Sequence, residues 1–308
     1  MSFTASIKAE VCELTISKAE KISELSAIFR NISEISNTIK ISTENIIVFK
    51  HTYKLLKELY QINPKIIVRK GYNFNKNYLY IMEFRGDVNY ILNDIGIIEN
   101  NCFCNCPPNY IIDDMELLRS YIRGIFISTG SINDPKTSRY HLELIVNNIN
   151  YANFINKKLN DNYLNSKVIK RDNKYMIYIK EAEKISDFLR MINANKAVLY
   201  FEDIRIFRDY KNMTNRLNNC EQANVEKIIS TANTQLDDIN LIECESGLDI
   251  LPDKIKDVAI YRKKYPEVSL LELSKIISLE TGNEITKSGI YHRMKKINEI
   301  ANKIRNKK

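Results

Sequence analysis

No run of eighteen or more apolar residues occurs anywhere in the 308-residue chain, which argues against a membrane-spanning helix. Where a secretory leader would need an apolar block, the first residues, MSFTASIKAEVCEL, already carry Lys8, Glu10 and Glu13; the expected location is the cytoplasm. Histidine is scarce: the three residues, His51, His141 and His292, are scattered. That scarcity weakens a metal reading of Cys102, Cys104 and Cys106. A structural zinc ion needs four ligands, commonly at C-x2–4-C spacing, and one-residue spacing in an extended segment turns three thiols to one side with no fourth donor near. Reduced thiols in a linker fit a cytosolic chain better. No glycine-rich phosphate loop is present either. The sequence therefore predicts no cofactor and no bound metal.

What is present is a duplication. Tyr121–Ile132, YIRGIFISTGSI, reads as an apolar helix running into a glycine-bearing turn, and Glu24–Ile35, ELSAIFRNISEI, has the same shape. The material after each copy also matches. After the first, the pattern predicts a strand at Ile46–Lys50, a helix at Tyr53–Tyr60, strands at Lys65–Lys70 and Tyr78–Phe84, and a helix at Val88–Ile97. After the second, it predicts Tyr140–Val146, Tyr151–Leu159, Lys167–Arg171, Lys174–Lys180 and Glu183–Ala194 in the same order. Phe3–Cys12 ahead of them reads as a strand or helix packing across the first sheet. An apolar fraction of 44% is enough for a buried core. Two such units cover their sheets by packing the first helices together, and Ser26, Ala27 and Gly124 are small enough to sit at the crossing. Asp113 and Asp114 precede the second of these helices, where acidic residues favour an N-terminus.

The two motif helices and the αβαββα layout written twice resemble the LAGLIDADG homing-endonuclease fold. The predicted fold class is therefore α+β, with duplicated LAGLIDADG-like units packed as a pseudo-dimer. In that family each motif helix ends in an acidic residue, and the pair holds the divalent metals that activate water. The matching positions here are Ile32 and Thr129. Neither binds a hard cation as a carboxylate does, so the resemblance implies a nuclease scaffold without catalytic acids. An active endonuclease remains the alternative if Glu34 or Asp134 substitutes from another position; a ligand- or partner-binding scaffold is another.

In the second unit, alternation puts His141 and Glu143 on one strand face, opposite Tyr140, Leu142 and Leu144. Each unit also has a basic, tyrosine-bearing hairpin: Arg69, Lys70, Gly71, Tyr72 and Lys76 in one, Lys167, Lys170, Arg171 and Lys174 in the other. These hairpins are candidate phosphate contacts, or solvated turns. From Asp209 the texture changes. Met213, Leu217, Cys220, Val225, Ile228, Ala232, Leu236 and Ile239 recur at helical spacing, uninterrupted by Gly or Pro until Gly247, so one long helix or two shorter ones should join the body to the tail. Within it, Lys211 and Arg216 are further candidate DNA contacts.

The tail is basic. Residues 254–308 hold 14 Lys/Arg and 6 Asp/Glu, and 14 − 6 = 8 accounts for the formal charge of +8 on the whole chain. A cationic domain on a neutral body points to an anionic polymer, although a solvated lysine tail explains some of it; Lys303, Arg305, Lys307 and Lys308 supply non-specific attraction. Asp253–Tyr265 reads as a helix stopped by Pro266, and Ser269 to Glu272 as a capping box. Leu273, Ile276 and Ile277 point inward, Leu279–Glu284 is a turn, and Thr286 or Ser288 caps a last helix. In that helix Ile290, Met294, Ile297, Ala301 and Ile304 form one apolar stripe. Lys287 opens the helix, Ser288, His292 and Lys295 lie on the other side, and Tyr291 and Lys296 flank them; this is a composition suited to the major groove. Arg293 lies nearer the stripe, and His292 reads equally as a solvated surface residue.

The duplicated body, the segments GSINDP and Lys211–Asn224, and this helix-turn-helix together resemble the WhiA family of bacterial regulators over nearly the whole chain. The organisation expected is a first repeat at 1–97, a linker at 98–114, a second repeat at 115–208, connecting helices at 209–252 and a helix-turn-helix domain at 253–308. The resemblance implies a DNA-binding transcriptional regulator linked to sporulation, cell division and chromosome segregation, associated with the nucleoid and not an enzyme. Double-stranded DNA is the implied partner, with other transcription factors or RNA polymerase as further candidates and no membrane.

Overall fold

The computed structural model describes residues 2–306 apart from 37, 71–77, 87, 100–101 and 138; Gly71, Tyr72, Lys76, Lys307 and Lys308 lie outside the described residues. The chain divides into two compact units, 1–208 and 209–308.

The first unit opens with α1 (Phe3–Cys12), a helix that touches elements of both repeats rather than lying across the first sheet alone. Its Thr4 hydroxyl donates to the Ile132 carbonyl at 2.8 Å and accepts from the Ile132 amide at 3.0 Å. Next come α2 (Lys18–Ile32), β1 (Ser33–Ile35), β2 (Ile39–Thr43), α3 (Ile46–Tyr60), β3 (Lys65–Lys70), β4 (Tyr78–Phe84) and α4 (Val88–Asp94). The linker holds a two-stranded ladder, β5 (Ile98–Glu99) with β6 (Cys102–Phe103). The second repeat follows as α5 (Met115–Thr129), β7 (Gly130–Ile132), β8 (Leu142–Val146), α6 (Ile149–Asp161), β9 (Lys167–Arg171), β10 (Lys174–Ile179) and α7 (Ala182–Met191). The sheets are antiparallel, with equivalent orders β1-β2-β4-β3 and β7-β8-β10-β9.

Two expectations are revised. Ile46–Lys50 is not a strand: the Asn45 side chain accepts from the Ile47 and Val48 amides and starts α3 there, so the β-branched run becomes the first turns of a helix. The strand lies earlier, at Ile39–Thr43, with Ile39 and Ile41 buried. Each motif helix also passes directly into a three-residue strand, where the sequence suggested a turn, so each repeat is αββαββα. Three residues are too few for a period-two alternation to be read.

The body's core is the contact between α2 and α5. Gly124 faces the backbone of α2: a Cβ there would lie 2.4 Å from the Glu24 carbonyl oxygen and 2.9 Å from the Ala27 Cβ. The helices thus approach at a distance no side chain at position 124 permits, with Ser26 and Ala27 buried beside the crossing. Asp114 caps α5 by accepting from the Leu117 amide at 2.8 Å, and Ser17 and Glu20 form a capping box on α2.

The remaining helices are α8 (Asn195–Ser246), α9 (Asp253–Lys264), α10 (Leu270–Thr281) and α11 (Lys287–Arg305). The connecting stretch is one helix, and it starts before Asp209. Of its apolar residues, Ala232 and Ile239 are buried, whereas Met213, Leu217 and Val225 are 63%, 55% and 54% exposed. Helical periodicity put all of them on one face; only the last part of that face finds a partner within its unit.

Candidate nucleic-acid interface

The second unit is built around α11. Ser269 accepts from the Glu272 amide while the Glu272 carboxylate takes the Ser269 amide at 2.8 Å, closing the capping box that starts α10. Gly282 ends α10 in the left-handed region at φ 71°, where glycine carries no Cβ penalty. The Ser278 hydroxyl holds the Ile285 amide at 3.0 Å across the turn, and Thr286, not Ser288, caps α11 by accepting from the Gly289 amide. Ile290, Met294, Ile297 and Ala301 then pack against Leu273 and Ile277 of α10, Val258 and Ala259 of α9 and Ile239 and Ile242 of α8. At its far end α11 is tied down by Asp238, which accepts from Asn298 at 2.6 Å and pairs with Arg305 at 2.7 Å.

With that stripe fixed, the other side of α11 has nowhere to go but solvent. Lys287, Ser288, Tyr291, His292, Lys295 and Lys296 are exposed, and Arg293 is half-buried. Tyr291 is 57% exposed and stands edge-on to His292, with ring centroids 5.9 Å apart. One surface therefore offers cations, a hydroxyl, an imidazole and a phenol on a rigid helix. That donor set matches base edges and phosphates.

The body's candidate contacts are less coherent. Lys170 and Arg171 are adjacent on β9, so they point to opposite faces. Lys170 pairs in register with Tyr175, on the same face as the buried Ile177 and Ile179, whereas Arg171 pairs with Lys174 on the other. On that outer face Glu143 lies opposite Tyr178 and meets His141 at 3.3 Å, while Lys180 sits 4.9 Å above the Tyr178 ring. Lys211 and Arg216 are exposed on α8, and Arg69 and Lys70 on β3.

Ile32 and Thr129 are the last residues of α2 and α5. The Thr129 hydroxyl donates to the Ile125 carbonyl at 3.2 Å, and Ile32 packs against the core. Glu34 sits beyond the helix on β1, paired with Lys40 at 3.1 Å, and Asp134 accepts from the Lys136 amide at 2.9 Å. Among the described residues no group of three His, Cys, Asp or Glu side chains is placed to hold an ion. The helix ends therefore offer one alkyl group and one hydroxyl where metal chemistry needs carboxylates.

Sequence reasoning missed a buried ionic cluster at the motif crossing. Glu24 of α2, fully buried, accepts from Arg123 Nε of α5 at 2.5 Å and from His51 Nε2 of α3. Arg123 Nη2 donates to the Ser120 hydroxyl at 2.8 Å. Burial pushes the His51 pKa down, but the nearby Cys12 thiol and the hydrogen-bonded Glu24 carboxylate outweigh it and raise it to about 10. The signal was present but weak: among the several charges of α2 and α5, Glu24 and Arg123 are the ones that fall within the run of buried positions.

Three WhiA domain families match along the chain: the WhiA N-terminal LAGLIDADG-like domain over residues 18–98, the WhiA LAGLIDADG-like domain over 118–211 and the WhiA C-terminal HTH domain over 214–301. The chain is 41% identical to the probable cell division protein WhiA of Staphylococcus haemolyticus (strain JCSC1435), over 99% of this chain and 98% of that one. It is 40% identical to the protein of the same name from Staphylococcus aureus (strain JH9), with the same coverage. The crystal structure of full-length DUF199/WhiA from Thermatoga maritima superposes with a TM-score of 0.60 at 27% identity, covering 98% of this chain and 99% of that one.

Proposed function

The chain belongs to the WhiA family, and from that premise we propose that it is a sequence-specific DNA-binding regulator of transcription acting in cell division; its staphylococcal relatives are named probable cell division proteins. In this reading α11 enters the major groove, with Ser288, His292 and Lys295 toward base edges and Lys287, Tyr291 and Lys296 toward the backbone. Arg293 braces the helix from its half-buried position. One observation carries the reading: a core-locked helix presents a continuous cationic, hydrogen-bonding face to solvent. The organisation proposed is a body of two repeats, 1–97 and 115–208, joined by 98–114, and a reader at 253–308 behind a connecting stretch at 209–252.

The body cuts nothing in this reading, because Ile32 and Thr129 supply no carboxylates for a metal. It serves as a rigid platform for a second DNA contact, through Arg171 or Lys170, or for a protein such as another transcription factor or RNA polymerase, while Lys211 and Arg216 of the connecting helix are further candidate contacts. Binding at the nucleoid follows from the DNA contact. The test is electrophoretic mobility of a duplex selected from random sequence by the protein itself. His292→Ala and Lys295→Ala should each weaken binding to that duplex more than to unrelated DNA, by about 1–3 kcal/mol for each base-edge interaction removed. Unchanged mobility with both substitutions would show that α11 is not the reading element.

A further inference from the structure

A groove of about 550 Å³ lies in the second unit where α8, α9, the start of α10 and the start of α11 meet. Three cations line it, Lys227, Arg262 and Lys287, and none of its lining residues is a carboxylate. Lys227 and Lys287 are exposed and free to reorient, whereas Arg262 is only 1% exposed. Its Nη1 donates to the Val268 carbonyl at 2.7 Å, its buried Nε has no hydrogen-bond partner, and it forms no ion pair among the described residues. A guanidinium stays charged at neutral pH, and a buried charge without a counter-ion is costly. Burial lowers the Arg262 pKa, the direction expected of a cation whose counter-charge is missing.

The groove also receives the N-terminus of α10. The capping box uses the amides of Ser269 and Glu272; those of Leu270 and Leu271, the first two helical residues, have no acceptor within the helix. Both residues line the groove. Their N–H groups and the positive end of the helix dipole favour an anion, while the Glu272 carboxylate is turned back onto Ser269. Lys287 is also the first residue of α11, so whatever sits here lies beside the proposed reading helix.

We infer that this groove seats a phosphate group of the DNA backbone, held by Lys227, Lys287 and the Leu270 and Leu271 amides over the buried Arg262, and that α8 thereby belongs to the DNA-binding surface. The inference rests on the DNA-binding reading and adds a residue, Lys227, that lies off the helix-turn-helix. A contact of this kind fixes register and carries no sequence information.

The experiment uses the full chain with Lys227→Ala and Lys227→Glu, changes at an exposed position that leave the core intact. Lys227→Ala should weaken binding to the selected duplex and to unrelated duplex by the same factor. It should also reduce the slope of log K against log salt by about one, and Lys227→Glu should weaken both further. Scanning single methylphosphonate linkages along the selected duplex should find one position whose neutralisation weakens the wild-type chain and not Lys227→Ala. Unchanged affinity and salt slope in Lys227→Ala, while His292→Ala loses selectivity, overturn the seat and leave the regulator reading standing. A loss confined to the selected duplex assigns Lys227 to base reading and likewise overturns it. Thermal stabilisation of the wild-type chain by inorganic phosphate, with DNA binding unaltered in both variants, makes the groove a free-anion site instead. Failure of the wild-type chain to retard any duplex overturns both readings together.

Discussion

Replacing Arg123 by Met puts a number on the ionic cluster inside the body. Arg123 and Glu24 are 1% and 0% exposed in their side chains, so solvent screens neither. Methionine fills most of the volume and keeps the packing, but removes the Nε donor at 2.5 Å from Glu24 and the Nη2 donor to Ser120. Breaking a buried pair by deleting one partner costs about 3–5 kcal/mol. His51 still compensates part of the Glu24 charge, which places Arg123→Met at the lower end, about 3 kcal/mol. For a unit of this size 1 kcal/mol corresponds to roughly 2–4 °C in Tm, so the body's transition should fall by roughly 6–12 °C. The double substitution Glu24→Leu with Arg123→Met removes both charges of the pair but leaves His51 without its carboxylate. It should be less damaged than the sum of the two single variants, since apolar replacement of a buried pair is often neutral or stabilising, while His51 has to give up its proton. Calorimetry of the full chain, with hydrogen exchange of the α2 and α5 amides to assign the transition, checks both outcomes. A shift under about 2 °C for Arg123→Met, or a double variant as damaged as the sum of the singles, would refute the argument that this pair is held by its burial.

Three more outcomes follow from the same structure. His51 has a folded-state pKa raised to about 10 from 6.5, so the stability it contributes is fully present below about pH 6.5 and is lost as pH rises through 10; the stability difference between wild type and His51→Gln should shrink across that window in urea titrations, and a difference that grows reverses the sign of the assignment. Gly124→Ala should destabilise the body by about 1–3 kcal/mol or more through overpacking, and adding Ala27→Gly should rescue little, because the 2.4 Å approach is to the Glu24 backbone; full rescue would mean the Ala27 contact is the limiting one. Plasmid DNA incubated with the chain and magnesium should stay supercoiled, and nicking would show that Glu34, Asp134 or another acid has replaced the missing pair.

The capping box and the stripe of the tail were legible because each lies within a few residues, Ser269 with Glu272 and Ile290 to Ala301 along one face, whereas the turn expected from Leu279 starts later, α10 running on to Thr281 before Gly282 ends it. The duplication was legible for the same reason, each repeat restating its local pattern. Ile46–Lys50 was misread because a β-branched run looks like a strand until Asn45 is recognised as its cap. Lys170 and Arg171 were grouped by composition although neighbours on a strand part to opposite faces, and only the register with β10 shows that Lys170 is the one sharing a face with the buried Ile177 and Ile179.

The sequence by itself determined the local grammar of this protein: where most of its helices lie, that the body is written twice, and that the surplus positive charge is in the tail. The tertiary structure alone decided which charges meet. Glu24 and Arg123 pair across the repeats, and Lys227, Arg262 and Lys287 converge from three helices on one groove. Hydrophobic periodicity fixes which face of a helix is buried, but the partner on that face is set by how whole elements pack, and no spacing along the chain records it.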